Sequence, residues 1–207
     1  MTNPPKKIVT LKVYIANLHA YTNGTPQGTW LNLPTSKQEI TRTLKSINIT
    51  PGMEYAIHDY ISEFSIGEYE QLHHLNIIAE KLTTLTQQEI DLAAAYCNYN
   101  GYKTAIEIFN ILQQLDEIHY ITVPQDSFNQ QRNLAYAWLE QGMNDELNQE
   151  LEKDTILSRY FDYEAYGRDL EIEAGYWATD EIFILYHSEP DPTLYKWEDL
   201  PLYPHDQ

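Results

Sequence analysis

From residue 51 onward, aspartate and glutamate recur every few positions among tyrosine, leucine and isoleucine. Any fold this chain adopts must therefore bury apolar side chains while leaving acidic ones on the surface of the same elements. Residues 51–207 hold seven Lys or Arg against thirty Asp or Glu, a net of −23. Residues 1–50 hold Lys6, Lys7, Lys12, Lys37, Arg42 and Lys45 against Glu39 alone, a net of +5. The whole chain sums to −18, with a pI near 4.6. A disordered acidic tail would match the charge but not the 43% hydrophobic residues, 17 of them Tyr. The chain is expected to fold, and its 207 residues suffice for one large or two to three small domains. Direct nucleic-acid binding and anchoring to anionic lipid both need a local excess of Lys and Arg, so the partners expected are basic proteins.

One cysteine, Cys97, excludes an intramolecular disulfide framework and zinc sites built on two or four cysteines. The longest apolar run is far shorter than the roughly 20 residues that span a bilayer. Lys6 and Lys7 precede an apolar stretch, but Val9, Leu11, Val13 and Ile15 alternate with other residues, which predicts a strand rather than a signal-peptide core. A cytoplasmic location is the default expectation.

The pattern predicts an α+β class. A strand from about Ile8 to Ala16 leads through the turn formers Asn23-Gly24 and Pro26 to a second strand from Thr29. Ser36 with Glu39 reads as a capping box, and Ile40, Leu44 and Ile47 as the buried face of the helix it opens. Glu54 to Ile61 reads as a third strand. Three short helices are predicted between Glu68 and Gln114. Tyr69, Leu72 and Leu75 share the face of the first, Thr86 caps the second with Glu89, and Ile106, Phe109 and Leu112 or Ile111 line the third. Ile118 to Val123 reads as a short strand. Asp126 or Ser127 would cap a helix reaching Gln141, with Gly142 as its stop, and further helix follows from Asp145. Tyr160 to His187 reads as helix, a turn near Gly175 and a closing strand pair, and the proline-rich last twenty residues as an extended tail or surface strap. The domains expected are 1–61 (α+β), 62–117 (helical) and 118–187 (α+β), with a tail over 188–207.

Residues that could carry catalysis do not stand out. Thirty-one carboxylates guarantee some pair at a catalytic separation, so such a pair is uninformative. His58-Asp59, His73-His74, His19, His119, His187 and His205 lack metal-ligand spacing and are expected to be ordinary histidines. Glu150, Glu152 and Asp154 alternate as calcium ligands do, but Lys153 intrudes and the EF-hand glycine is missing. Cys97, in AAAYCNY, is expected to be a buried, inert thiol. The tyrosines fit a core built with Tyr in place of Phe, or self-association. No catalytic residue, metal or cofactor is expected.

Three segments together resemble a known family. VYIANLHAYTNGTPQGTWLNL (Val13 to Leu33), EYAIHDYI (Glu54 to Ile61) and YFDYEAYGRDLE (Tyr160 to Glu171) are similar, in order and spacing, to the ArdA-type antirestriction proteins, over about residues 8 to 187. Gly167, Arg168, Asp169, Leu170 and Glu171 correspond to that family's antirestriction motif and are expected to form or support the dimer contact. The resemblance implies elongated homodimers carried by plasmids, conjugative transposons and phages, with three small domains and a dimer contact in the third. It implies carboxylates that imitate the phosphates of bent DNA. They would occupy the DNA-binding groove of type I restriction-modification enzymes, assemblies of methyltransferase and specificity subunits. The segment from Ile121 to Gln131 and the tail from Ser188 depart from the family pattern.

The acidic surface expected on this reading comprises Glu63, Glu68, Glu70, Glu80, Glu89, Asp91, Glu107, Asp116, Glu117, Asp126, Glu140, Asp145, Glu146, Glu150, Glu152, Asp154, Asp162 and Glu164. Arg168 is expected in a structural ion pair or dimer contact rather than in target recognition, and Lys12 and Lys37 are expected either to pair with carboxylates of the same chain or to face away from the target. Duplex DNA carries one charge per ~1.7 Å, so two copies at −18 each match roughly 60 Å of duplex. The alternative is an acidic adaptor that sequesters another basic DNA-binding protein.

Overall fold

The computed structural model describes residues 11–123, 129–173, 177–178, 182–184 and 188–199, with backbone alone over 177–184. The expected starts at Ile8, Asp126 or Ser127 and the expected turn at Gly175 lie outside the described residues. The described chain is a mixed α+β fold whose packing separates it into two compact units. One holds the residues through Leu115 together with those from Asp191 onward, and the other runs from Asp116 to Pro190.

The first unit is built on an antiparallel sheet in the order β2-β1-β3, with β1 Leu11–Asn17, β2 Gly28–Leu33 and β3 Tyr55–Ile61. The strand alternation resolves as it should. Leu11, Val13 and Ile15 are buried and pair across to buried Leu33, Leu31 and half-buried Thr29. Lys12 points the other way, where its ammonium lies 5.1 Å from the Trp30 ring centroid. Between the strands the expected loop contains a short helix, α1 Leu18–Thr22. Buried Asn17 caps it and also donates 2.9 Å to the Ile47 carbonyl.

Helix α2 (Lys37–Ser46) starts at Ser36, whose hydroxyl accepts from the Glu39 amide. The capping box is half made, because the Glu39 carboxylate turns to Arg42, one turn along an exposed face. Its buried side is Thr43 and Ile47, with Ile40 and Leu44 half-buried. Helices α3 (Leu72–Leu82), α4 (Gln87–Asn100) and α5 (Ala105–Leu112) follow. Leu72, Leu75, Ile78, Ala79 and Leu82 make the inner face of α3. Tyr69 precedes the helix and is exposed, correcting its expected place on that face. On α5 the fully buried apolar positions are Ala105, Ile108, Ile111 and Leu112; Ile106 and Phe109, expected on the buried face, are half-buried. Asn110 is buried beside them and holds residues 191–199 in place. Its amide donates to the carbonyls of Pro192 (2.6 Å) and Tyr195 (3.0 Å), and its oxygen accepts from the Tyr195 amide. Trp197 then stacks on His74 at 3.7 Å and 4°, where burial together with His73 pushes His74 down to about 4. The tail is thus a strap whose backbone is held by two amide side chains of the first unit, Asn110 at Pro192 and Tyr195 and Gln114 at Asp191.

The second unit has a three-stranded antiparallel sheet in the order β4-β6-β5, with β4 Tyr120–Thr122, β5 Trp177–Ala178 and β6 Ile182–Ile184. Its core joins Ile121, Val123, Leu134 and Ala137 to Trp138 and Leu170. Helix α6 (Gln130–Glu140) is capped by Asn129, not by the Asp126 or Ser127 expected, and ends at Gly142 with φ +76°. Then come α7 (Asp145–Lys153), α8 (Thr155–Tyr160) and α9 (Tyr163–Glu173). Gly167 brings α9 against α6 so closely that a Cβ there would stand 1.8 Å from the Gln131 carbonyl oxygen.

Candidate functional site: an acidic protein-interaction surface

Helices α7, α8 and α9 of the second unit begin at caps that set acidic side chains on the surface. Asn144 caps α7, leaving Asp145 and Glu146 in its first turn, where the helix dipole favours them. Asp154 closes α7 and opens α8, accepting from the Ile156 amide at 2.8 Å and the Leu157 amide at 3.1 Å. Asp162 does the same for α9 through the Ala165 amide at 3.0 Å. Beneath them an aromatic group of Tyr136, Phe161, Tyr163 and Tyr166 ties α6 to α9, with Tyr136 and Tyr163 stacked at 4.3 Å. Tyrosine serves here as partly buried packing with a polar tip, and the Tyr166 hydroxyl takes a hydrogen bond from the Asn144 amide.

The acidic residues expected to act together divide into two sets. Asp116, Glu117, Glu140, Asp145, Glu146, Glu150, Glu152, Asp154, Asp162 and Glu164 are exposed, all in the second unit, and Glu63 and Glu68 are exposed in the first. Glu70, Glu80, Glu89, Asp91 and Glu107 are half-buried and engaged locally. Glu89 and Glu107 complete capping boxes with Thr86 and Thr104. Glu70 accepts from the Ala105 amide, Glu80 from Asn76 and Asp91 from Gln87. Hydrogen bonds to Thr86 hold the Glu89 carboxyl below its usual range, whereas burial, with Glu107 nearby, raises that of Glu70. Asp126 lies outside the described residues.

Residues 140–173 hold eleven acidic side chains against Lys153, Arg159 and Arg168. Lys153 lies 2.9 Å from Glu150, and Arg168 lies 3.8 Å from Asp169 with both side chains exposed. Within the five-residue motif, Gly167 faces Gln131 and Leu170 joins the core, so Arg168 and Asp169 are its outward members; Glu171 is half-buried and accepts from the Gln131 amide at 3.2 Å. Cys97 is fully buried and its thiol is pushed up by that burial. Among the described residues, no group of three or more His, Cys, Asp and Glu is placed to hold a metal ion, and no helix is long and apolar enough to cross a membrane.

A family model described as antirestriction protein (ArdA) matches residues 13–184. The chain belongs to the ArdA antirestriction family. That family consists of inhibitors rather than enzymes, and its members act against restriction-modification enzymes, which are therefore the partners of this chain. Comparison with curated proteins gives no match. The match ends before the strap, so the residues that dock on Asn110 lie beyond the family-matched segment. The fold also uses a signal passed over in the sequence. Thr104-Ala-Ile-Glu107 has the same cap spacing as Thr86 with Glu89 and forms a complete box.

Proposed function

We propose that this antirestriction protein inhibits type I restriction-modification enzymes as a DNA mimic, occupying the groove in which methyltransferase and specificity subunits hold DNA. The supporting observation is the set of exposed carboxylates on α7 and α9 and at the two ends of α8, set against three cations of which two lie beside acids of their own helices. A basic groove that meets such a surface gains the attraction and counterion release that it gains from phosphates. Asp116 and Glu117 add exposed charge in the second unit and Glu63 and Glu68 in the first, while Glu70, Glu80, Glu89, Asp91 and Glu107 support helices as well as contributing charge.

The proposal includes a homodimer and the organisation into domains 1–61, 62–117 and 118–187. On the antirestriction motif, a dimer contact falls to Arg168 and Asp169, adjacent opposite charges that can pair reciprocally across a two-fold axis. The test is the plating of unmodified phage on a host carrying a type I system, with and without this chain. Plating rising towards that on a restriction-deficient host is the expected result, and unchanged plating with the chain present in soluble form contradicts it.

A further inference from the structure

Helix α8 has the sequence TILSRY and buries none of its residues. Ile156 is 66% exposed, Leu157 44% and Tyr160 80%. Positions 156, 157 and 160 stand one, three and four residues apart and share one helical face. That face is held in place from both sides. Asp154 ties the first turn through two backbone amides, and the Ser158 and Tyr163 hydroxyls meet at 3.2 Å. Apolar groups so displayed with a polar rim mark a surface that another protein covers.

We infer that Ile156, Leu157 and Tyr160 form the apolar centre of the surface that this chain presents to a basic protein, seating in an apolar socket rimmed by Lys and Arg. The inference rests on the mimic reading and adds to it a contact that a phosphate backbone does not make. The occupant follows from the rim. Asp154 stands at the start of the helix and Asp162 two residues after Tyr160, both exposed, with Arg159 between them. With two acids to the one cation, Arg159, this rim is net negative, so a second copy would bring the same excess of charge to the apolar contact, whereas a basic rim pairs with it. The outward residues of α9, Arg168 beside Asp169, are by contrast self-complementary. The α8 face therefore goes to the target, and its contribution to binding does not depend on salt.

The test uses the full chain carrying Ile156→Gln together with Tyr160→Gln, which keeps helix propensity and opens no cavity because neither residue is buried. Binding to a purified type I methyltransferase is measured at low and at high salt, with mass by light scattering. The double variant is expected to bind at least tenfold more weakly at both salts, with the slope against salt and the mass unchanged. Tyr160→Phe is expected to bind as wild type does. Binding of the double variant equal to wild type, a loss confined to low salt, or a change of mass each overturns the assignment. Failure of the wild type itself to bind refutes the mimic reading and this inference with it, which separates the two.

Discussion

Glu70 and Glu89 lie in the same acidic segment, but their surroundings move them in opposite directions. Glu89 is held low by the Thr86 amide and hydroxyl, so its contribution to stability is present above the ordinary carboxylate value of 4.5 and is lost as pH falls through the depressed one. Glu70 is raised by burial, so its ionised form detracts from stability above the raised value, and that cost disappears as pH falls below 4.5. Glu70→Gln keeps an acceptor for the Ala105 amide and is expected to be more stable than wild type at neutral pH, with the gap closing in acid. Glu89→Gln should shrink the acid-side loss instead. Urea unfolding of both variants at neutral and acid pH checks the pair, and gaps that do not change with pH contradict the assigned causes. Thr104→Ala should cost about 1 kcal/mol by removing a cap.

Among the elements, α6 and α9 depend on Gly167. Gly167→Ala would drive a Cβ into the Gln131 backbone, with an expected loss of about 3 kcal/mol, the upper range for overpacking, read from the urea midpoint. An Ala variant as stable as wild type would show that the helices can separate freely. The strap offers a second check. Asn110→Ala leaves two carbonyls and an amide without their partner and should cost about 2 kcal/mol. Strands β1 to β3 and helices α3 to α5 were legible because alternation and the spacing of Thr86 with Glu89 are local signals. Asn110 and Gly167 were not, because their roles come from partners 82 and 36 positions away in the chain. Periodicity placed Tyr69 and Ile106 on buried faces, and tertiary packing overrode it. The positions of the acidic set were legible, but which carboxylates are exposed and which are half-buried against caps or side-chain amides was decided by neighbours three or four residues away or across the fold.

For the molecule as a whole, light scattering is expected to give a dimer near twice 24.2 kDa, and a monomer at micromolar concentration removes the dimer from the proposal. The central claim is that affinity for the target is spread over many exposed carboxylates. An exposed ion pair is worth about 0.2 to 1 kcal/mol, and a tenfold change in affinity needs about 1.4, so Glu150→Gln, Glu152→Gln or Asp154→Asn alone should weaken binding by less than about tenfold. The most direct measurement is the dissociation constant for a purified type I methyltransferase across a salt series, for the wild type and for a variant in which Glu63, Glu140, Glu146, Glu150, Glu152, Asp162 and Glu164 are all made amides. The combined variant is expected to remain folded, to bind more weakly by several kcal/mol and to show a shallower salt slope. Wild-type affinity and slope in that variant would contradict the claim.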